Sequence, residues 1–363
     1  MTSLHIMDKN GSRLDNETMA MLQNRAISTI LPTVYSLVFI ISVPGNLFAL
    51  WVLCFHIKPK TSSVIFMINL SITDLMLAFC LPFQIKYHIN HNNWLFGKNL
   101  CSLVTVMFYS NMYSSILTMT CISLERYLGV VHPMKPVKWR KKRYAVATCL
   151  GMWAFVLLAL YPLESTDLTY EVTQLNITTC FDVLKWEMLP NIPAWATFLL
   201  TLVVILFLIP FIVTVVCYIR IIRKLIQASN KYGNGQKTRS IYLAVIVLLT
   251  FIICFAPNNF ILLAHVINRL FFNKSYYPAY KLTLCLSCMN NCIDPFIYYY
   301  ASKEFYQKFK QVIGQQALLS DSMENRRESL FSGRTVSVRS MSSGHAEGLD
   351  AVKACLERKE SVF

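Results

Sequence analysis

Two carboxylates stand in surroundings that disfavour charge. Asp74 lies in NLSITDLMLAF and Asp294 in NNCIDPFIYYY, both within long apolar runs. An ionisable side chain is expensive to bury there, so it marks either a functional site or a polar staple between helices. Around Asp294, the residues Ser287, Asn291 and Tyr298 recur at steps of four, three and four. That spacing sets them on one helical stripe, with Asn290 beside it. Asn46, directly after Gly45, and Ser115 add an amide and a hydroxyl at depths that can meet the two acids. Two carboxylates ringed by neutral oxygens suit a hard cation, sodium first, or a proton shared between them. Hydrogen bonding that only fastens helix to helix is the competing reading. A second charged constellation, Glu125-Arg126-Tyr127 in CISLERYLGVVHP, closes another apolar run. Arginine keeps its charge and can exchange one acceptor for another, so Arg126 beside Glu125 is a candidate two-state latch. Standing alone, it would read as a side chain reaching up to lipid headgroups.

Such residues need a membrane bundle to position them. The 363-residue chain is 55% hydrophobic and only 15% charged, with a mean hydropathy of +0.45. Crossing a hydrocarbon core of roughly 30 Å takes about 20 apolar residues. Seven such runs lie near 29–55, 62–88, 100–128, 144–163, 193–219, 240–267 and 279–300. Loops 56–61, 132–143 and 220–239 hold two, six and six Lys or Arg, against two, one and three in 86–99, 164–191 and 268–281. This bias predicts an extracellular N-terminus and a basic inner face at the plasma membrane. The net charge of +15 then faces anionic lipid and acidic partners. A nucleic-acid partner is excluded, because the charge flanks spans and forms no soluble basic face. Residues 1–28 are polar and show no basic segment followed by a short apolar stretch, so the first span is expected to direct insertion.

Most of the twelve cysteines sit inside spans, where a thiol behaves as a small apolar group. Cys101 and Cys180 alone fall on the outer side, and two lone cysteines in an oxidising compartment are expected to pair. Sequons at Asn10, Asn16, Asn176 and Asn273 fall on the same side and predict glycosylation, whereas Asn69-Leu-Ser71 lies in a span and should be inert. Prolines 82, 162, 210, 257 and 295 interrupt helices. Pro257 follows Phe251 and Phe255, so aromatic side chains crowd a bend in the sixth span.

Catalysis finds no residues: there is no H-E-x-x-H, no phosphate-cradling glycine loop and no nucleophile elbow. Retinal is excluded because the only lysine near the seventh run is Lys281, at its outer end. An odd count of spans without an internal repeat argues against a transporter.

Over about residues 25 to 315 the motifs resemble rhodopsin-like (class A) G-protein-coupled receptors. The match is carried in order by Gly45-Asn46, Leu70, Asp74, Cys101, Glu125-Arg126-Tyr127, Trp153, Pro210, Tyr218, Phe251, Pro257, Asp294-Pro295 and Tyr298. Phe255 stands where most of the family has a tryptophan and Asp294 where most have asparagine, two departures that resemble the purinoceptor-like branch. The resemblance implies an all-α membrane fold of seven transmembrane helices over 29–300, after an extracellular tail at 1–28. It makes Arg126 the contact to a heterotrimeric G protein when the sixth span opens, with Tyr218 and Tyr298 as active-state partners. It makes Asp74, Ser115, Asn290 and Asp294 a sodium pocket. Relatives in this branch often use Rho-activating G proteins.

A rim of Lys86, His88, Lys185, His265, Arg269, Lys274 and Lys281 surmounts Phe108, Tyr109, Met112, Tyr113, Asn258 and Tyr280. Cations above an aromatic and apolar well suit a small extracellular ligand that is an anionic amphiphile, headgroup paired and tail buried. Some of these cations could instead pair with Asp167, Glu171, Asp182 or Glu187. Relatives in this branch bind lysophospholipids and glutathione-derived lipids. Those that bind nucleotides place basic residues where this chain has Thr105, Leu262 and Leu284, and a histidine where it has Asn259. A nucleotide-responsive receptor and a scavenging or constitutively active protein are the alternatives.

On the inner side, Phe305, Phe309 and Ile313 recur at steps of four among basic residues. This predicts a short amphipathic eighth helix on membrane lipid over 301–315. The Ser/Arg-rich segment 316–363 reads as a disordered regulatory tail. Phosphorylation at Ser329, Ser332, Thr335 or Ser337 by receptor kinases would recruit arrestin, and Ser361-Val362-Phe363 fits a PDZ domain.

Overall fold

In lipid every backbone polar group must be satisfied within its own segment, and the seven apolar runs meet that demand as helices. The computed structural model describes residues 16–132, 142–182, 192–232, 235–271, 276–301, 305–307, 310, 311 and 314. A short helix α1 (Asn16–Leu22) precedes α2 (Arg25–Trp51), which runs into a π-helical turn, Val52–His56. Then come α3 (Ser62–Ile89), α4 (Lys98–Val131) and α5 (Lys142–Glu164). Helix α6 (Ile192–Thr201) continues through a π-helical stretch, Leu202–Leu208, into α7 (Ile209–Tyr232). Helices α8 (Gly235–Phe271) and α9 (Tyr277–Ala301) complete the bundle. Six of these rods are long and apolar enough to cross a membrane. The seventh, α9, has 25 residues and reaches about 37 Å at 1.5 Å per residue; its polar stripe lowers its hydropathy.

Helix α2 packs on α3 and α9, α4 packs on α3, α5 and α7, and α8 packs between α7 and α9. Polar side chains turn inward: Asn46, Asp74, Asn290 and Asp294 are fully buried, while Leu150, Phe155 and Leu158 of α5 face outward. This inversion of the soluble pattern follows from apolar surroundings. The seven runs expected from hydropathy coincide with the rods, although α4, α7 and α8 reach beyond them. The stretch drawn as a tail up to residue 28 contains α1, whose Met21 and Leu22 are buried.

Two local devices fix the rods. Where the first rod ends, Lys60 Nζ donates to the carbonyls of Leu53, Cys54 (2.8 Å) and Ile57 (2.7 Å), satisfying acceptors that the helix leaves open. Gly45 lets α2 approach α9, since a Cβ there would stand 3.1 Å from Pro295 Cγ.

At the end of the bundle that carries Cys101, the connection after α5 forms a hairpin, β1 (Thr169–Val172) with antiparallel β2 (Ile177–Cys180), pairing Thr169 with Cys180. The all-α expectation did not include it. Its Thr, Tyr, Val and Ile content explains the strands. The expected Cys101–Cys180 disulfide is present, with Cα atoms 5.8 Å apart. Trp94 grips the hairpin from the α3–α4 turn: its backbone N–H donates to the Thr178 carbonyl (2.7 Å), and its indole N–H donates to Gly97 (2.8 Å). Gly97 holds φ +78°, a region that other residues rarely adopt.

The described residues up to 307 belong to one compact unit, and 310, 311 and 314 to another. Of the expected eighth helix, the described residues 305–307, 310, 311 and 314 are helical. Phe305 is buried edge-on against Phe48, ring centroids 6.5 Å apart. The tail serines and the C-terminal motif lie outside the described residues.

Candidate functional site

The disulfide end holds two chambers that share walls. Cys101 fixes Cys180 to the top of α4, so the next two residues, Phe181 and Asp182, are delivered over the bundle. Phe181 takes φ +64° and its N–H donates to the Leu168 carbonyl (2.9 Å). The first chamber is lined among others by Tyr35, Gln84, Thr105, Asp182, Lys281 and Leu284. The second is lined by Tyr113, Leu163, Phe198, Leu202, Leu262 and His265 among others. Tyr109 and Phe181 belong to both, and their rings meet edge-on at 5.6 Å. One chamber therefore mixes polar and apolar wall and holds the charged groups, the other is almost entirely apolar, and an aromatic pair divides them.

The polar chamber has one dominant electrostatic feature. Lys281 Nζ pairs with Asp182 Oδ1, and the two side chains keep only 11% and 2% of their exposure. The Tyr87 hydroxyl donates to Asp182 Oδ2 at 2.6 Å, while the ammonium sits 5.7 Å from the centre of the Tyr87 ring. Lys281 is thus not a free rim cation: of the four acids weighed against the rim, Asp182 holds it. His88 is buried and its Nδ1 meets Asn92 Oδ1 at 2.8 Å; Asn92 in turn donates to the Leu22 carbonyl (3.1 Å), tying α1 to the bundle. His265 Nδ1 accepts from the Tyr276 N–H (3.1 Å).

Of the residues expected to meet ligand, Phe108, Tyr109 and Lys281 line the polar chamber. Tyr113, His265 and Tyr280 line the apolar one, with Tyr109 again, and the Tyr109 and Tyr280 hydroxyls bond at 2.7 Å. Met112 and Asn258 line neither; they are buried against each other, Asn258 Nδ2 donating to Met112 Sδ at 3.2 Å. Lys185, Lys274, Asn10 and Asn273 lie outside the described residues, as do the side chains of Asn16, Arg269 and Tyr298. Asn176 is exposed on the hairpin turn. Sequence reasoning passed over Tyr35, Gln84 and Phe181. Only Phe181 had a signal, its position next to Cys180.

Midway down the bundle the two acids come together, with Asn46 beside Asp74 and Asn290 on Asp294. Asp74 Oδ1 accepts from Asn111 Nδ2 (3.4 Å) and Asp294 Oδ2 from Asn290 Nδ2 (2.8 Å). The two carboxyl groups lie close enough to act on each other electrostatically. Asn46 Nδ2 donates to the Asn291 carbonyl at 2.9 Å, crossing from α2 to α9. Asp74 Oδ2, Asp294 Oδ1 and Asn290 Oδ1 are buried without a hydrogen-bond partner, as are the hydroxyls of Ser71 on α3 and of Ser114 and Ser115 on α4. A buried acceptor left open this way is costly, and two adjoining carboxylates cannot both remain bare. This donor set fits a hard monovalent cation or a shared proton. On α8, Phe251 and Phe255, one turn apart and preceding Pro257, are buried with rings 5.5 Å apart, and Phe211 stacks on Phe251 at 6.0 Å.

At the opposite end, Glu125 is not joined to Arg126 by an ion pair among the described residues; Ser63 Oγ donates to Glu125 Oε2 at 2.6 Å. Arg126 is near enough for its charge to be felt at the buried Tyr218 hydroxyl. Tyr218 packs with Ile221, Ala244, Val247 and Ile297, against Tyr127. The Tyr127 hydroxyl meets His132 Nε2 at 3.3 Å.

Two chambers at the disulfide end, a buried acid pair midway and an arginine near a buried tyrosine at the far end are thus strung along one helical bundle. Residues 45–298 match the family model described as 7 transmembrane receptor (rhodopsin family). The chain is 76% identical to purinoceptor 8 of chicken (Gallus gallus), covering 98% of this chain and all of that one. It is 58% identical to the human S-geranylgeranyl-glutathione receptor over 98% of this chain and 99% of that one. Proteinase-activated receptor 1 of Xenopus laevis is 38% identical over 80% of this chain and 68% of its own. The resemblance to the purinoceptor-like branch, drawn from the motifs, is borne out.

Proposed function

Because the chain belongs to the rhodopsin family of seven-transmembrane receptors, we propose that it answers an extracellular amphiphile of the prenylated-glutathione or lysophospholipid type. It is a multi-pass protein of the plasma membrane. Members of its family are receptors, not enzymes, and pass the binding of an outside ligand to a heterotrimeric G protein. The observation that carries the ligand class is the pair of chambers meeting at Tyr109 and Phe181, one holding Lys281 and Asp182 and the other walled by leucine and phenylalanine. A head and a tail of opposite polarity each find a matching wall. The name of the human relative, a receptor for S-geranylgeranyl-glutathione, agrees with that chemistry. A nucleotide fits less well, since Thr105 and Leu284 line the polar chamber and Leu262 the other, so none of these three positions offers phosphate a cation.

The disulfide end faces outward in this reading and the Arg126 end inward, with glycans on Asn176 and the other sequons. Ligand binding shifts α8 about the Phe251–Phe255–Pro257 bend, and Arg126 with Tyr218 and Tyr298 then receives a Rho-activating G protein. Asp74, Ser115, Asn290 and Asp294 would hold sodium in the resting arrangement, and receptor kinases, arrestin and a PDZ domain would act on the tail. Rho activation in cells expressing the full chain, challenged in parallel with S-geranylgeranyl-glutathione, lysophosphatidate and adenine nucleotides, tests the reading. A lipid response is expected; a response confined to nucleotides overturns it.

A further inference from the structure

The head chamber already contains a salt bridge, and its geometry narrows the headgroup. Lys281 and Asp182 face each other at the wall of the cleft with side chains almost wholly enclosed. A simple anion that takes Lys281 removes a cation from a carboxylate that stays buried, which offsets what it gains. A headgroup bearing an ammonium beside a carboxylate faces no such loss, because each member of the pair exchanges its partner for an equivalent one. Two features prepare the pair for this exchange. Asp182 is anchored independently of Lys281, by the Tyr87 hydroxyl on its second oxygen and by its position two residues beyond the disulfide. Lys281 carries its charge on a four-carbon stem beside the Tyr87 ring, so it can withdraw without leaving favourable surroundings.

We propose that the Asp182–Lys281 pair recognises a zwitterionic, α-amino-acid-like headgroup, ligand ammonium on Asp182 and ligand carboxylate on Lys281. This rests on the amphiphile reading above and sharpens it: the preferred ligand is a zwitterion joined to a long apolar tail. The γ-glutamyl end of a glutathione conjugate has that chemistry, whereas lysophosphatidate lacks the ammonium.

The test uses the full-length receptor in cell membranes and two probes, S-geranylgeranyl-glutathione and its N-acetyl derivative. Acetylation removes the ammonium and keeps both carboxylates and the tail. In the wild type the acetylated probe is expected to be about tenfold weaker or worse, the scale of a lost charged hydrogen bond in a desolvated site. In Asp182→Asn, whose amide oxygen still accepts from Tyr87, the two probes should become equal within about threefold, as a coupled pair requires. Lys281→Arg, which keeps the charge, should retain the wild-type discrimination, and surface labelling confirms that each variant is displayed. Equal potency of the two probes on the wild type, or undiminished discrimination in Asp182→Asn, overturns the proposal while leaving the amphiphile reading intact. A wild type silent to both probes but responsive to nucleotides overturns the amphiphile reading and this proposal with it.

Discussion

Removing the ammonium of Lys281 should be more damaging than removing the carboxylate it meets. In Lys281→Met, Asp182 keeps the Tyr87 hydrogen bond at 2.6 Å but loses its ion-pair partner at 2% side-chain exposure. Breaking a buried pair from one side costs about 3–5 kcal/mol, and the surviving hydrogen bond places this variant near the lower figure, about 3 kcal/mol. In Asp182→Asn the lysine is the orphan. It has 11% exposure and a flexible stem that can reach water, so the loss should be about 1–2 kcal/mol. The double variant, Asp182→Asn with Lys281→Met, leaves no buried charge unpaired and should return to within about 1 kcal/mol of the wild type. Denaturant unfolding of the purified full-length receptor in one detergent, with all four proteins in parallel, measures the cycle. A Lys281→Met protein as stable as the wild type, or a double variant as unstable as the sum of the singles, refutes the buried-pair reasoning.

Gly45→Val forces a branched side chain into space where Cβ alone would stand 3.1 Å from Pro295 Cγ; overpacking of this kind costs about 1–3 kcal/mol. Its half-inactivation temperature should fall, whereas Gly151→Val, where nothing lies within 4 Å of an added Cβ, should match the wild type. Asp74→Asn removes one of the two adjoining carboxylates, so agonist affinity, expected to weaken with rising sodium chloride but not with choline chloride in the wild type, should lose that difference; a retained difference places sodium elsewhere. Arg126→Ala should abolish G-protein activation while agonist binding and surface expression persist, and wild-type signalling from it would remove Arg126 from the latch.

The rods were legible because lipid leaves a chain few options: about twenty apolar residues without hydrogen-bond partners become a helix. Asp74 and Asp294 stood out for the same reason, and helical period set Asn290 beside Asp294, but Asn111, which donates to Asp74, was not foreseen. The π-helical stretches at Val52–His56 and Leu202–Leu208 had no comparable signal, since an apolar run such as LVVILFL reads the same in an α-helix as in a π-helix. The head chamber was half legible. Lys281 and Tyr109 were found from their depth, but four acids in the following loop could have claimed the rim cations. Only the path of the chain after Cys180, set by the disulfide and by Trp94 on Thr178, selects Asp182. Met112 and Asn258 lay at suitable depth yet satisfy each other, an outcome of side-chain packing that spacing does not encode. Glu125 likewise was read beside its sequence neighbour, whereas its partner, Ser63, sits at the start of another helix.

The most direct test of the two-chamber account narrows the apolar chamber from its wall. Leu202 is buried on that wall, and Leu202→Trp would fill it. Binding of S-geranylgeranyl-glutathione and of the shorter S-farnesyl-glutathione to the purified receptor should show the longer chain preferred by the wild type and the preference reversed in Leu202→Trp. An unchanged preference with full affinity would mean that the tail does not occupy this chamber.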